Sequence, residues 1–255
     1  MDLELKGKRA IITGGTRGIG RAIADQLAAE GADVAICART EAGVIETVEA
    51  LKAQGVRAFG SALDVRDADA FRAWHESAVR DLGGVDIAIS NVSTRPTLEG
   101  EEGWREAFDT DFLQHVRFAE LSLPKLAEGR DANLLFLSSI AATLTILPPG
   151  ESAYGTMKAA LISYMGQLAS THGSKGVRVN AVSPGPIFFP GGVWDQIGKH
   201  QPDMFKRVAQ MSALGRHGTP EEVADAVVFL CSPKAGYITG ANLRVDGAMV
   251  KTVNH

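Results

Sequence analysis

Three side chains in the second half of the chain have the functional groups needed for proton transfer to a bound substrate. Ser139 comes first, and Tyr154 and Lys158 follow in a segment predicted to be helical. Their i, i+4 spacing places the phenol and the ammonium on one face of that helix. Because a free tyrosine titrates near pH ~10, it is a poor base at neutral pH. We expect the Lys158 ammonium to stabilise the phenolate and so to lower the pKa of Tyr154.

A glycine-rich segment near the start of the chain has the composition of a phosphate-binding turn. Residues 13–20 read Thr-Gly-Gly-Thr-Arg-Gly-Ile-Gly and follow a predicted strand. The glycines would let the backbone approach a pyrophosphate, and the following helix would point its amino terminus at the negative charge. Such spacing also occurs in ordinary turns, but the position between a strand and a helix favours dinucleotide binding. We assign six residues of this turn to the cofactor: Gly14, Thr16, Arg17, Gly18, Ile19 and Gly20.

The end of the second predicted strand distinguishes between the two nicotinamide cofactors. NAD sites usually place an acid there for the ribose 2′-hydroxyl, whereas an arginine suits a 2′-phosphate. Here the acid is missing, and Arg39 stands directly after the strand. With Arg17 from the glycine-rich turn, Arg39 would form a cationic clamp, so we predict NADP(H). The alternative is that both arginines are solvated loop residues.

Asp64 ends the third predicted strand and has two interpretations. Its carboxylate could meet the adenine amino group of the cofactor, which is the role that we assign to it. It could equally cap the helix that follows.

The size and charge of the chain restrict the class of protein. Its 255 residues, of which 45% are hydrophobic, fit one α/β domain over residues 1–255. A net charge of −4 argues against a nucleic-acid partner, which normally requires a basic face. No apolar stretch reaches the ~20 residues that span a bilayer, and the first residues carry acids without a signal-type apolar core. We therefore expect a cytoplasmic protein with no membrane partner.

Short β-rich runs alternate with helical patterns, which is typical of a doubly wound Rossmann fold with a seven-stranded parallel sheet flanked by helices. The predicted strands are 9–13, 33–38, 56–62, 85–90, 132–138, 177–182 and 242–245. The clearest predicted helices are 19–30, 41–54, 67–82 and 152–172, closed by Gly31, Gly55, Gly83 and Gly173. The segment 183–217 is rich in proline and glycine, so we predict a long irregular substrate loop there.

The cysteines and histidines do not indicate a disulfide or a metal site. Cys37 and Cys231 stand in separate apolar runs, so we expect them to be buried core residues. The six histidines have no HxH or HExxH spacing, and we interpret them as solvated or capping residues.

Ordered motifs recur along nearly the whole length of the chain. They are Thr13-Gly14-x-x-x-Gly18-x-Gly20, Asp64, Ser139, Tyr154-x-x-x-Lys158, Asn180-Ala181-Val182-Ser183-Pro184-Gly185, Tyr237-Ile238-Thr239-Gly240 and Val245-Asp246-Gly247. Together they resemble the short-chain dehydrogenase/reductase family, in its NADP-using branch, with members similar to 3-oxoacyl-ACP reductases. The resemblance implies hydride transfer between NADP(H) and a ketone or a secondary alcohol.

The resemblance also implies roles for individual residues. Tyr154 would be the general acid in reduction and the base in oxidation, and Ser139 would hydrogen-bond the substrate oxygen. Lys158 would bind the hydroxyls of the nicotinamide ribose and lower the pKa of the tyrosine. The neighbouring Ser138 would point the other way, because side chains alternate along a strand. The further implied cofactor contacts are Val65, Asn91, Pro184, Gly185 and Ile187.

Three positions depart from the family pattern. Asp111, seven residues after Trp104, stands where the family usually has an asparagine. Its carboxylate would accept a hydrogen bond from Lys158 or a relay water and alter the lysine–tyrosine coupling, so we count it as catalytic. Alternatively, the aspartate is tolerated because the family's asparagine acts largely through its backbone. Residues 90–93 read Ser-Asn-Val-Ser instead of Asn-Asn-Ala-Gly, which adds side chains near the cofactor. Phe189 replaces a cofactor-contacting threonine, a loss of about 0.5–1.5 kcal/mol if nothing compensates.

Apolar residues in the segment 183–217 indicate a lid over the substrate. The lid would contain Phe188, Phe189, Trp194 and Met204, of which we assign Phe189 and Trp194 to substrate contacts with Ser139 and Tyr154. The opposite wall would contain Thr143, Leu144 and Ile146, next to an extended loop at 147–150. Such a pocket suits a ketone or a secondary alcohol with a hydrophobic body. The same aromatic side chains could instead pack the lid onto the domain without touching a ligand.

Two other functions are compatible with these residues. The departures at positions 93, 111 and 189 would suit a non-catalytic NADP(H)-binding regulatory module. An epimerase or a dehydratase with transient hydride transfer would keep the same site without consuming the cofactor. The ordered presence of Ser139, Tyr154 and Lys158 favours the oxidoreductase. Because family members are usually tetramers, the resemblance also implies a homotetramer.

Overall fold

A single parallel sheet of seven strands forms the centre of the computed structural model, which describes residues 2–94, 100–129, 131–148 and 150–252. The strands are β1 (Arg9–Thr13), β2 (Asp33–Ala38), β3 (Ala58–Ala62), β4 (Ile87–Ser90), β5 (Ala132–Leu137), β6 (Val177–Pro184) and β7 (Asn242–Val245). Their order in the sheet is β3-β2-β1-β4-β5-β6-β7. The order reverses between β1 and β4, and a ligand of such a sheet binds outside the carboxyl ends of the strands at this point.

Helices cover both faces of the sheet. The described helices are α1 (Gly18–Ala29), α2 (Glu41–Lys52), α3 (Ala68–Leu82), α4 (Gly100–Phe108), α5 (Gln114–Leu126), α6 (Ser152–His172), α7 (Val193–His200), α8 (Pro202–Met211) and α9 (Pro220–Cys231). A π-helical turn, Asp109–Leu113, joins α4 to α5. The doubly wound α/β fold predicted from the sequence is confirmed.

Alternation along the central strands produces two separate apolar layers. In β1, Ile12 packs on the face covered by α1, α2 and α9, whereas Ile11 packs on the face covered by α3, α5 and α6. Because both faces are buried, the strands read as nearly continuous apolar runs rather than as polar–apolar alternation. Cys37 and Cys231 belong to these layers as free, buried thiols, as predicted.

The predicted boundaries differ from the structure by a few residues, mostly at strand ends. Gly31, Gly55 and Gly83 follow α1, α2 and α3 with φ angles of 83°, 89° and 77°, which is the left-handed conformation expected after a helix. Gly173 is different, because its φ of −56° continues the chain into a short 3₁₀ turn. The left-handed glycine that ends this segment is Gly176, with a φ of 77°.

The prediction of an irregular segment over 183–217 is wrong in its central part. Two helices, α7 and α8, form there, and Pro202 begins the second, where its missing N–H is tolerated. Aromatic rings hold the segment together: the Phe205 ring lies 4.1 Å from that of His217, and the Trp194 ring lies 5.0 Å from it. Contacts between residues distant in sequence thus compensate for the proline and glycine content.

The prediction that the histidines are solvated or capping residues is wrong for two of them. His75 and His115 are 2% and 0% exposed, so they are neither solvated nor capping residues. His75 Nε2 lies 3.0 Å from Ser122 Oγ, and the ring packs edge-on against Phe118. Burial lowers the pKa of His75 to about 4.

No helix in the described ranges has the length and apolar character required to cross a membrane.

We predict that His75 makes the fold sensitive to acid. Unfolded histidine takes up its proton near pH 6.5, whereas folded His75 does so near 4, so stability is present above 6.5 and is lost as the pH falls towards 4. The shift corresponds to about 3 kcal/mol. Chemical unfolding at pH 7 and pH 4.5 measures the stability that is lost on acidification. This loss should be smaller for His75→Gln than for the unmodified protein. His200→Gln, an exposed control, should lose as much as the unmodified protein; an equal loss in both variants would contradict the assignment.

Candidate active site

The glycine-rich turn after β1 is shaped by contacts that leave no space for side chains. A Cβ atom on Gly20 would lie 2.2 Å from the Gly14 carbonyl oxygen. Gly14 itself has a φ of 72°, and its amide donates to the Cys37 carbonyl at 2.8 Å. Glycine at these positions lets α1 start directly against the turn.

Asn91 joins this turn to the end of β4. Its Nδ2 donates to the carbonyl oxygens of Thr13 and Gly14, at 2.9 and 3.1 Å. In the other direction, the amides of Asn91 and Val92 donate to Thr13 Oγ1, at 2.9 and 3.2 Å. The two strands that flank the switch point are therefore held in a fixed relation where the turn begins.

The amino terminus of α1 has the features of an anion-binding site. Arg17, at the N-cap position, makes no side-chain capping bond, and the first turn contains no acidic residue. The initial amides of the helix, beginning with Gly18, are thus uncapped by side chains among the described residues, and the helix dipole adds positive potential there. A pyrophosphate group fits the positive potential at the start of this helix.

Phe189 lies on the same turn. A Cβ atom on Gly18 would be 2.6 Å from Phe189 Cζ, so the phenyl ring packs directly on the glycine. The ring is partly buried against the apolar layer that contains α1. Phe189 therefore borders the cofactor turn, which is where the threonine that it replaces would act.

The two arginines predicted to bind a 2′-phosphate are both exposed, Arg17 in the turn and Arg39 directly after β2. Asp64 follows β3 and pairs with Arg66 at 2.6 Å. Hydrogen bonding from Arg66 lowers the pKa of Asp64, and the charge of Arg39 acts in the same direction. The alternative that Asp64 caps the next helix is wrong, because the cap of α3 is Asp67, which accepts from two amides of the first turn.

Lys158 is fully buried beneath the carboxyl end of β5. Its Nζ donates to the Leu137 carbonyl at 3.2 Å and lies 3.3 Å from Asp111 Oδ1. Ser138 points towards this helix and donates through Oγ to the Lys158 carbonyl at 3.1 Å. The lysine is thereby fixed at both its backbone and its ammonium group.

Tyr154 and Ser139 lie on the open side of this lysine. Lys158 Nζ is 5.7 Å from the centre of the Tyr154 ring, and Ser139 lies within hydrogen-bonding reach of the phenol. Ser139 Oγ also accepts from the Ala141 amide at 3.1 Å, which caps a short 3₁₀ turn. Burial, together with the Asp111 carboxylate, raises the pKa of Tyr154 to about 12. The expectation of a lowered tyrosine pKa is therefore not met in this structure.

Asp111 reaches the lysine from the π-helical turn. It is 0% exposed; its Oδ1 accepts from Ser93 Oγ at 2.5 Å, while its Oδ2 is buried with no hydrogen-bond partner among the described residues. Burial raises the pKa of Asp111, and the Lys158 charge opposes this effect. The sequence marked Ser93 only as a departure from the family pattern, and its contact with Asp111 was missed. The one signal in the sequence was that positions 93 and 111 both depart from the same family pattern.

The structure brings most of the predicted site residues to one edge of the sheet. The residues that directly follow strands there are Gly14, Arg39, Asn91 and Gly185, with Ser139 two positions after β5. Val65 and Ile187 belong to the apolar layers, so their side chains are core residues. Trp194 packs on His217, a contact within the segment 183–217 itself. Within the described residues no group of histidine, cysteine and acidic side chains could hold a metal ion.

A phosphate-binding turn at the switch point of a doubly wound sheet, beside a serine, a tyrosine and a buried lysine, defines the dinucleotide-dependent oxidoreductases as a class. A sequence profile described as enoyl-(acyl carrier protein) reductase matches residues 14–249. Isoepoxydon dehydrogenase of Penicillium expansum is 37% identical over 249 residues, which are 96% of this chain and 95% of the relative. The 3-oxoacyl-(acyl-carrier-protein) reductase of Vibrio cholerae is 34% identical over 251 residues, which are 97% of this chain and 99% of the relative.

A solved structure is also similar over the whole chain. L-sorbose reductase from Gluconobacter frateurii, complexed with NADPH and L-sorbose, has a TM-score of 0.89 and 32% identity, covering 99% of this chain and 100% of that one. The chain belongs to the short-chain dehydrogenase/reductase family, as the motifs indicated, and it is an oxidoreductase.

Whether the turn tolerates a side chain at Gly20, close to Gly14, can be tested with one variant and a matched control. Gly20→Ala places a methyl group against the Gly14 carbonyl and should lower the free energy of unfolding by about 1–3 kcal/mol. Gly166→Ala in α6, where a Cβ atom meets nothing within 4 Å, should raise it by about 0.5–1 kcal/mol. Urea unfolding of both variants measures the difference. Equal changes in the two would show that the turn tolerates a side chain.

Proposed function

We propose that the protein interconverts a ketone and a secondary alcohol with NADP(H) as the hydride carrier. The observation that carries this proposal is the grouping of Tyr154 and Ser139 above the buried ammonium of Lys158, at the edge of the sheet that also bears the glycine-rich turn. When bound, the cofactor supplies or accepts the hydride. The protein must then deliver or remove one proton at the substrate oxygen.

Tyr154 performs that proton transfer in this proposal. In reduction its phenol donates the proton to the carbonyl oxygen, and in oxidation the phenolate takes it back. Ser139 holds the substrate oxygen and stabilises the charge that develops there. Lys158 positions the tyrosine and the ribose hydroxyls, and its own orientation is fixed by Leu137 and Asp111.

The cofactor assignment is supported by charge and by a relative. The structure of L-sorbose reductase contains NADPH, and that protein is 32% identical to this chain. Here the second strand ends without an acid, and Arg17 and Arg39 are both exposed at the mouth of the turn. The pyrophosphate would lie on the amides of Gly18 to Gly20, with the 2′-phosphate between the two arginines.

The remaining assignments are proposals by family analogy. We propose one catalytic domain over residues 1–255, with a substrate loop at 183–217 that includes α7 and α8. We also propose a cytoplasmic homotetramer, which is consistent with the exposure of Tyr237 and Leu243 near β7. The substrate body is hydrophobic in this proposal, and Phe189 and Trp194 border its site.

The first test removes the tyrosine hydroxyl. Tyr154→Phe should reduce kcat/KM for NADPH-dependent ketone reduction by about 10²–10⁴-fold, because the proton donor is lost. Tyr164→Phe on the same helix is the control, and it should keep full activity since its ring contacts Phe112 and Phe136 are retained. Retention of activity in Tyr154→Phe would exclude this mechanism. Absence of turnover in the unmodified protein over a broad ketone panel would favour the regulatory module.

The second test measures cofactor preference by calorimetry. The unmodified protein should bind NADPH at least tenfold more tightly than NADH, a difference of about 1.4 kcal/mol. The double variant Arg17→Ala, Arg39→Ala should lose this preference by weakening NADPH binding alone. Arg80→Ala, an exposed arginine on α3, is the control and should change neither affinity. A preference for NADH in the unmodified protein would contradict the arginine clamp.

A further inference from the structure

The two family departures at positions 93 and 111 form one structural unit beside the tyrosine. Ser93 Oγ donates to Asp111 Oδ1 at 2.5 Å, and the same oxygen lies 3.3 Å from Lys158 Nζ. The side chains of Asp111 and Lys158 are both 0% exposed. Water therefore screens this charge pair very little.

The first consequence concerns net charge. With an asparagine at position 111, the buried ammonium of Lys158 would be an isolated positive charge near the Tyr154 ring. Because the Asp111 carboxylate contacts this ammonium, the net charge that acts on the Tyr154 phenol is close to zero. A nearby positive charge stabilises a phenolate, and cancelling it removes that stabilisation.

The second consequence concerns the single proton of the Ser93 hydroxyl. A hydroxyl has one donor hydrogen, and here it points to the Asp111 carboxylate. This bond orients the carboxylate and favours its ionised form, so the negative charge stays beside Lys158.

We propose that Asp111 and Ser93 are positioning residues that keep Tyr154 a neutral phenol, the carboxylate by cancelling the Lys158 charge and the hydroxyl by holding that carboxylate in place. The site is thereby set to give a proton to a substrate carbonyl, which is the reductive direction. Oxidation of an alcohol first requires loss of that phenolic proton, so it needs a higher pH. This inference rests on the proposed function for its consequence in turnover, but the state of Tyr154 can be measured without any substrate.

Several other ionisable groups surround the unit. Lys158 and Tyr154 face it from α6, and Glu151, just before that helix, acts on Tyr154. His115 on α5 is buried with a pKa well below its usual value, because of burial and the charge of Lys158, so it stays neutral.

The test is a titration of Tyr154 by ultraviolet difference absorbance. The chain has only three tyrosines, so subtracting the Tyr154→Phe spectrum isolates this residue. In Asp111→Asn the midpoint should fall by about one pH unit or more, that is, about tenfold more phenolate at a given pH below the midpoint. Asp109→Asn, an exposed aspartate on the same π-helical turn, should not move it. An unchanged or raised midpoint in Asp111→Asn would overturn the proposal.

Asp111→Ser supplies the second variant, and it keeps the proposal testable if Asp111→Asn does not fold. Removal of the carboxylate should again lower the Tyr154 midpoint, and a midpoint that stays or rises would overturn the proposal. In turnover, Asp111→Asn should shift the alkaline rise of alcohol oxidation to lower pH by the same amount as the titration. If the unmodified protein turns over no ketone or alcohol, the proposed function fails, whereas the titration still decides the state of Tyr154.

Discussion

The ammonium of Lys158 has no contact with solvent, and this constraint determines the arrangement of the site. A buried charge is costly unless it is paired and hydrogen-bonded. The Leu137 carbonyl at the end of β5 and the Asp111 carboxylate on the π-helical turn meet this requirement. Three elements that are far apart in sequence are therefore fixed around one nitrogen atom. Because Tyr154 is one helical turn from the lysine, its position follows from the same contacts.

The glycine-rich turn is fixed to the sheet in a comparable way, but by the backbone. Asn91 bonds the end of β4 to the end of β1, so the turn is fixed to both strands that flank the switch point. The absence of side chains at Gly14 and Gly20 lets the helix begin where a negative charge would lie. The glycine-rich turn after β1 and the group of Ser139, Tyr154 and Lys158 beside β5 are thus positioned by strands of one sheet.

The sequence predicted the fold well because its signals are local. Buried parallel strands are continuous apolar runs, and glycine follows three of the four helices that the sequence predicts most clearly, so the elements could be located from the sequence. The helices in 193–211 were missed, because they are stabilised by aromatic contacts with the distant His217. The burial of His75 could have been read from its spacing, since it shares one face of α3 with Phe71 and Ala78.

The sequence predicted which residues form the site, but not the direction in which the pKa of Tyr154 is shifted. Ser139, Tyr154, Lys158 and Asp111 do lie together, as the motifs indicated. The direction of the tyrosine pKa was not predictable, because it depends on how deeply each charge is buried and on which atoms face each other. Spacing alone shows that a lysine is near a tyrosine. It does not show that an aspartate lies closer still.

The π-helical turn between α4 and α5 also has a consequence for how the chain can vary. A π turn inserts one extra residue into a helix, so the two helices that it joins have different rotational phases. Trp104 on the first helix is half exposed, while His115 on the second is fully buried. Deleting a single residue here would restore a regular helix but turn one half by roughly 100° relative to the other, given 3.6 residues per turn. Asp111 would then leave the lysine, which makes this stretch intolerant of length changes even though it contains no glycine or proline.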